Sequence, residues 1–279
     1  MIQWNPETLE NENSVAQILM LADKEWNARK QLYERIRRKT DNSELVSIND
    51  EKIKVAFENY INSMVTGYFA GKAPVYDVEK ISEPTKLNII KKLLNKVFNT
   101  DANKDEELKV LIDYISKYND DATEFFDLAF DYFGMRGCYE VLYENEDNEI
   151  VYTKQSALNT IGIFDYSTPV KQIGQLRKWT ERDKNGADIT IVELTTINGK
   201  RYYSPTPNDY AKLQEDKQKF KKSKWSMLPC IAIENEMGLS SFELVVSLIC
   251  AYERVIQNSR NTFQYNDDAK LKITGFTPQ

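Results

Sequence analysis

From Glu7 to Arg38 the apolar positions return every three or four residues. Val15, Ile18, Leu19, Ala22, Trp26 and Leu32 share one face, and the segment ends in the basic cluster Arg35, Arg37, Arg38 and Lys39. That period predicts an amphipathic helix. After a polar break at Thr40–Asn49, a second helix starts near Asp50 and carries Ile53, Phe57, Tyr60, Ile61, Met64 and Tyr68 on one stripe; Gly71 closes it and Pro74 follows. Pro84 suits the first turn of a third helix bearing Leu87, Ile90, Leu94 and Val97. Glu106–Lys117 and Ala122–Met135 read as two more, the latter with Asp121 as cap and Glu124 in the capping-box position.

After Gly137 the period changes to two. Cys138–Tyr143 alternates, an acidic turn at Glu144–Glu149 reverses the chain, and Ile150–Thr153 returns. Strands are expected at Thr160–Asp165, Gln172–Glu181, Asp188–Thr196 and Lys200–Ser204, with hairpin turns at Asn185-Gly186 and Asn198-Gly199. A polar, lysine-rich loop at Asn208–Lys224 leads to a strand at Cys230–Ile233. Helices first, an antiparallel sheet in the middle and a long helix at the end make an α+β chain.

That last helix is the strongest pattern. Ser240 suits the N-cap, with Glu243 reaching back to complete a capping box. Phe242, Val245, Ile249, Tyr252 and Ile256 then recur at helical spacing, and Val246, Leu248 and Val255 widen the stripe. Running to Phe263 the helix is roughly 33 Å long, and Arg254 and Arg260 complement the negative end of its dipole. The pattern fits a core helix and a helix packed beside copies of itself equally well. In the second case Phe242, Val245, Ile249, Tyr252 and Ile256 are the expected oligomer contacts.

Composition narrows the chemistry. The 279 residues are 41% hydrophobic and 29% charged, as in a soluble globular chain of one or two domains. No apolar run reaches membrane-spanning length and the N-terminus lacks a signal-peptide layout, so a cytoplasmic product is expected. The absence of histidine excludes histidine triads and histidine-ligated zinc. Cys138, Cys230 and Cys250 lie far apart in apolar segments and read as small buried hydrophobes. A net charge of −6 argues against tight binding of nucleic acid, whose affinity comes from clustered Lys and Arg.

No residue set reads as a catalytic, cofactor or metal site. Gly67-Tyr-Phe-Ala-Gly71-Lys72 lacks the spacing of a phosphate-binding loop and ends a helix. Glu144, Glu146, Asp147 and Glu149 read as a solvated hairpin turn. Lys217, Lys219, Lys221, Lys222 and Lys224, interleaved with Phe220 and Trp225, read as a loop tip that could alternatively meet an acidic partner surface.

Three stretches resemble the portal proteins of tailed double-stranded DNA phages, of the group common in siphophages of Gram-positive bacteria. The first is Lys52–Tyr76, with its Gly67-Tyr68-Phe69, Gly71-Lys72 and Pro74 pattern. The second is Asp127–Tyr143 with the following strands, which close on Phe164-Asp165-Tyr166. The third is Pro229, Asn235, Phe242-Glu243, Leu248-Ile249 and Ala251-Tyr252, with Asn261 and Ala269-Lys270-Leu271 beyond. Cys250 and Glu253 depart from the aspartate and asparagine usual there.

The resemblance implies a dodecamer-like ring at one capsid vertex of the virion, assembled in the host cytoplasm. Double-stranded DNA passes through it without being held tightly. Its partners are the terminase large subunit, a head-completion or adaptor protein, scaffold and the major capsid protein, with no membrane and no cofactor. It further implies an N-terminal arm at residues 1–50, a wing at 51–238, a stem helix at 239–265 and the start of a clip at 266–279. Family members continue with a second stem helix and a crown, so the chain is expected to be their N-terminal part. Two rival readings are a carboxylate- or metal-dependent nuclease using Glu140, Glu144 and Asp165, and a monomeric adaptor.

Overall fold

The computed structural model describes residues 1–37, 56–76, 104–182, 186–206 and 209–267. Among them, five α-helices and ten β-strands form an α+β fold. Strand β1 (Ile2–Gln3) precedes helix α1 (Glu12–Arg37), followed by α2 (Phe57–Ala70), α3 (Lys104–Tyr118) and α4 (Asp121–Met135). Strands β2 (Gly137–Glu144), β3 (Ile150–Gln155), β4 (Thr160–Phe164), β5 (Gln172–Arg182), β6 (Asp188–Thr196), β7 (Gly199–Thr206), β8 (Asp209–Glu215), β9 (Lys221–Lys222) and β10 (Cys230–Glu234) come next. Helix α5 (Val246–Asp267) ends the described chain. The expected helix at Pro84–Val97 and the clip segment at 269–276 lie outside the described residues, as does Asn185 of one expected turn.

The strands divide into two sheets, where one antiparallel sheet was expected. Seven strands run β1-β4-β5-β6-β7-β8, with β9 also on β7, and β1 joins β4 in parallel. The other three run β10-β2-β3, all antiparallel. Strands β8 and β9 replace part of the expected lysine-rich loop. Strand β8 is a polar edge strand whose buried anchor is Leu213, so it offers too weak an alternation to be read from sequence. The β6–β7 turn falls one residue earlier than expected, at Ile197–Asn198, because Thr196 pairs with Gly199. Gly199 has φ +146 and lies so near β9 that a Cβ would meet the Lys221 carbonyl at 2.2 Å.

Helix α1 lays its expected apolar face on the larger sheet. Val15, Ile18, Leu19, Ala22 and Trp26 pack against Ile161, Ile163, Leu176, Val192, Leu194 and Tyr203. The same face continues through Arg29, which is completely buried. Its guanidinium donates to the Tyr139 hydroxyl at 2.5 Å, to the Ala157 and Thr160 carbonyls at 3.3 and 3.2 Å, and to Glu234 at 2.9 Å. Tyr139 in turn donates to the other Glu234 oxygen at 2.5 Å. Burial opposes the arginine charge, but Tyr139, Glu234 and Glu25 outweigh it and hold the group ionised. Beside this network the two sheets close to contact at Gly162, where a Cβ would meet the Ala232 Cβ at 2.5 Å.

Helix α2 keeps Phe57 and Ile61 of its expected stripe half-buried and turns the other described members outward. Its buried row is Glu58, Asn62, Thr66 and Ala70, whereas Tyr60, Met64 and Tyr68 face outward. Two inward polar groups are held by partners, Glu58 by Arg35 at 3.4 Å, and Asn62 by the Phe130 carbonyl at 3.2 Å and the Ser241 hydroxyl at 3.1 Å, whereas the buried Thr66 hydroxyl has no hydrogen-bond partner. The expected cap of α4 also differs. Asp120, in the left-handed region, is the N-cap and makes no side-chain cap bond, while Glu124 accepts from the Lys154 amide of β3 at 3.1 Å.

Replacing Arg29 by Met leaves the Glu234 carboxylate buried without its cation, which is strongly destabilising. The expected loss is about 3–5 kcal/mol. It is read as a lower urea midpoint with an unchanged slope.

Candidate functional site

The C-terminal helix starts from a built root. After β10 the Asn235 amide donates to the Arg136 carbonyl at 2.9 Å, and the Asn235 side chain accepts from Met237 N at 2.9 Å and donates to the Leu239 carbonyl at 2.8 Å. Gly238, at φ +62, completes the turn. Ser241 then donates its amide to the Phe133 carbonyl at 2.7 Å and its hydroxyl to Asn62, tying the segment to α4 and α2.

Half of the expected capping box is present. Glu243 accepts from the Ser240 amide, whereas the buried Ser240 hydroxyl finds no partner. The other demand on Glu243 comes from Arg136, which ends α4 in the left-handed region at φ +66 and donates from Nε at 3.0 Å and from Nη2. Burial pushes the Glu243 carboxyl up, but the bonds from Arg136 and Ser240 outweigh it and leave the pKa below the ordinary value. A short 3-10 turn at Glu243–Val245 leads into α5.

The root divides the expected contact stripe. Phe242 is 0% exposed and packs with Leu32 and Ile36 of α1, with Ile61, Phe130, Val245 and Val246 around it. Ile249 is buried and Val245 and Ile256 are half-buried. Phe242 and Ile249 are therefore core residues of their own chain and present no outer surface, because the stripe they belong to is the face that docks α5 on the body. Tyr252, at its margin, is exposed and meets the Phe57 ring edge-on with centroids 5.3 Å apart. The flank of the helix about 100–120° around from Ile249 exposes Leu248 at 68% and Val255 at 61%, and Leu244 is exposed in the preceding 3-10 turn. Sequence reading counted Leu248 and Val255 as a widening of one stripe. That widened flank stays exposed because the body takes the Phe242 and Ile249 side.

The remaining candidates have local roles. Gly71 ends α2 in right-handed geometry at φ −71, and it approaches the backbone so closely that a Cβ would meet the Gly67 carbonyl at 2.2 Å. Glu144 pairs with Lys224 at 3.1 Å. Asp165 accepts from the Lys171 amide at 2.8 Å and from Ser167, bonds that shape a turn and lower its pKa. Glu140 sits half-buried in the wall of a cavity of about 430 Å³ near Asp121, which takes the hydroxyls of Tyr76 at 2.6 Å and Tyr152 at 2.9 Å. Burial, followed by the nearby Glu124 and Asp121, pushes Glu140 up to about 7. Thus Glu140, Glu144 and Asp165 each answer to a different neighbourhood. Among the described residues no three metal-ligating side chains converge. Cys138 and Cys230 are buried and free, and Cys250 is half-buried beside Arg35.

A family model described as phage portal protein, SPP1 Gp6-like, matches residues 23–279. No curated protein matches the chain.

Glu140 carries a pH signature. A carboxyl with a raised folded-state pKa keeps a proton that the unfolded chain has released, so stability falls as pH rises from about 4.5 through about 7. Glu140→Gln is expected to match the parent at pH 4. At pH 8 it is expected to be more stable by about 1–2 kcal/mol, the full linkage being discounted for the group's partial exposure. Thermal melts at the two pH values check it.

Proposed function

Since the chain belongs to the phage portal protein family, SPP1 Gp6-like, we propose that it is one subunit of a dodecamer-like ring at a capsid vertex, with α5 as the stem helix between neighbouring copies. The family is structural, belongs to the virion capsid, forms oligomeric rings and works with capsid and terminase. None of the described helices is long and apolar enough to cross a membrane.

One observation carries the stem assignment. Helix α5 docks one face on its own chain and still exposes Leu248 and Val255 on its flank, with Leu244 exposed in the turn before it. A lone helix in water gains nothing from such a row, whereas a ring of copies buries it between subunits. In this reading residues 1–50 are an arm, 51–238 the wing, 239–265 the stem and 266–279 the entry to the clip. The root at Arg136 and Glu243 transmits the position of the wing to the stem, since both ends of that ion pair are set by backbone geometry.

The role in DNA movement is passive guidance. The terminase motor does the work, and a subunit of net charge −6 offers a wall along which the phosphate backbone slides without being gripped. The ring docks the terminase large subunit during packaging and a head-completion protein afterwards, and scaffold and major capsid protein surround it during assembly.

Replacing Leu248 and Val255 together by Glu places charges where apolar burial is required. The expected outcome is loss of the ring, seen by light scattering as a fall to the mass of one chain. Helical circular dichroism and melting temperature stay unchanged, because both positions are exposed in the single chain. A ring that persists in this variant overturns the stem assignment.

A further inference from the structure

The lysine-rich stretch that reads in the sequence as a loop tip builds one wall of a cleft. Strand β9 runs antiparallel to the start of β7, with Lys221 opposite Lys200 and Lys222 opposite Gly199. The pairing extends to the Ser223 amide, which donates to the Asn198 carbonyl at 3.0 Å. The Trp225 amide then donates to the Ser223 hydroxyl at 3.1 Å, a bond that fixes the turn after β9. On the far side the Pro229 carbonyl accepts from the Leu142 amide at 2.9 Å, so the end of β2 supplies the opposite wall. Between the walls lies a cleft of about 340 Å³, lined by Leu142, Trp225 and Pro229 together with the exposed Lys221, Lys222 and Lys224.

The charges of this cleft are unevenly used. Lys200 pairs with Glu193 at 3.4 Å and Lys224 with Glu144 at 3.1 Å. The second pair is largely exposed, so it is worth little and exchanges readily. Lys221 and Lys222 make no ion pair among the described residues. Lysines on an edge strand have an ordinary use, since they discourage pairing with another sheet. That use needs no concave apolar floor beneath the charges, and here there is one. Positive charge around an apolar floor, on a chain of net charge −6, complements an acidic segment that also carries an apolar side chain. A nucleic acid strand fits less well. The acidic turn with Glu144, Glu146, Asp147 and Glu149 adjoins the cleft at the end of β2, and it repels a phosphate chain that runs on past the lysines. A short peptide keeps its charges within the cleft. We propose that this cleft binds an acidic peptide segment of a partner protein: carboxylates meet Lys221, Lys222 and Lys224, and one apolar side chain rests against Trp225. The site stands whether or not the chain assembles as a ring.

Fluorescence anisotropy on the full chain tests it, with a labelled peptide of about ten glutamates interrupted by one central leucine. The expected result is saturable binding that weakens about tenfold between about 0.05 M and about 0.5 M salt. The peptide with glutamine in place of glutamate is expected not to bind. Lys221→Glu with Lys222→Glu is expected to weaken binding about tenfold while melting at the parent temperature, both positions being exposed. The same charge change on α1, Lys24→Glu with Lys30→Glu, is expected to leave the affinity within about twofold. Trp225→Ala is expected to weaken the leucine-bearing peptide and to spare an all-glutamate one. Absence of binding at low salt overturns the site. Equal loss in the two charge-reversal variants overturns it too, because the attraction is then a property of net charge. Tighter binding of a labelled single-stranded DNA of the same length makes the ligand a phosphate chain and overturns the peptide assignment.

Discussion

The fold depends on one buried cation. Arg29 leaves water completely, and what makes this tolerable comes from Glu25 one turn earlier on α1 and, mostly, from elsewhere in the chain: the Tyr139 hydroxyl on β2, the Glu234 carboxylate on β10, and carbonyls of Ala157 and Thr160 where the chain passes from β3 into β4. A buried ion pair is weak as a source of stability, since desolvation offsets most of the attraction. It is strong as a constraint, because any arrangement that separates its members leaves a charge unpaired in a low dielectric. The network therefore sets α1, the three-stranded sheet and the edge of the larger sheet in one relative position. Gly162 reports the same tightness, with room for a hydrogen but not for a methyl.

From that fixed point the position of the C-terminal helix follows. Tyr139 lies close behind Arg136 in sequence, and Glu234 lies immediately before Asn235, so one constraint holds both chain segments that build the root. Arg136 and Glu243 then close across the gap, with Glu25 of α1 nearby at 3.9 Å from the guanidinium. Helix α5 leaves the body at an angle set by these bonds and by Phe242 in its pocket. The exposed row on α5 is what remains after the body has taken the other face.

The two helices with exposed apolar rows reach that state by different routes. Helix α5 is apolar on several sides, so docking one side leaves another bare. Helix α2 keeps Phe57 and Ile61 half-buried, and hydrogen bonds to Arg35, Phe130 and Ser241 hold Glu58 and Asn62 inward, which leaves Tyr60, Met64 and Tyr68 exposed. Hydrogen bonding can overrule hydrophobic orientation in this way where buried polar groups gain partners.

Much of this was legible locally. Periodicity placed α1, α4 and α5 and most of the strands, since the alternation of side chains around a helix or along a strand is a property of the backbone alone. The apolar face of α1 was readable residue by residue from Val15 to Leu32, and the order of the three stretches from Lys52 to Leu271 already resembled the portal family. The pattern could not show that Arg29 continues the α1 face, although the spacing Trp26, Arg29, Leu32 puts it there; only the arrival of Tyr139 and Glu234 stabilises an arginine in that position. It could not show that Glu124 serves β3 instead of its own helix, that Phe242 and Ile249 belong to the core, or that α2 turns its polar row inward. By itself, then, the sequence determined the elements, the α+β class and the family likeness, because these rest on short-range periodicity and motif order. The tertiary structure alone decided which face of each helix is used within the chain and which is left over, because that choice depends on partners more than a hundred residues away, as in the bond from Arg29 to Tyr139.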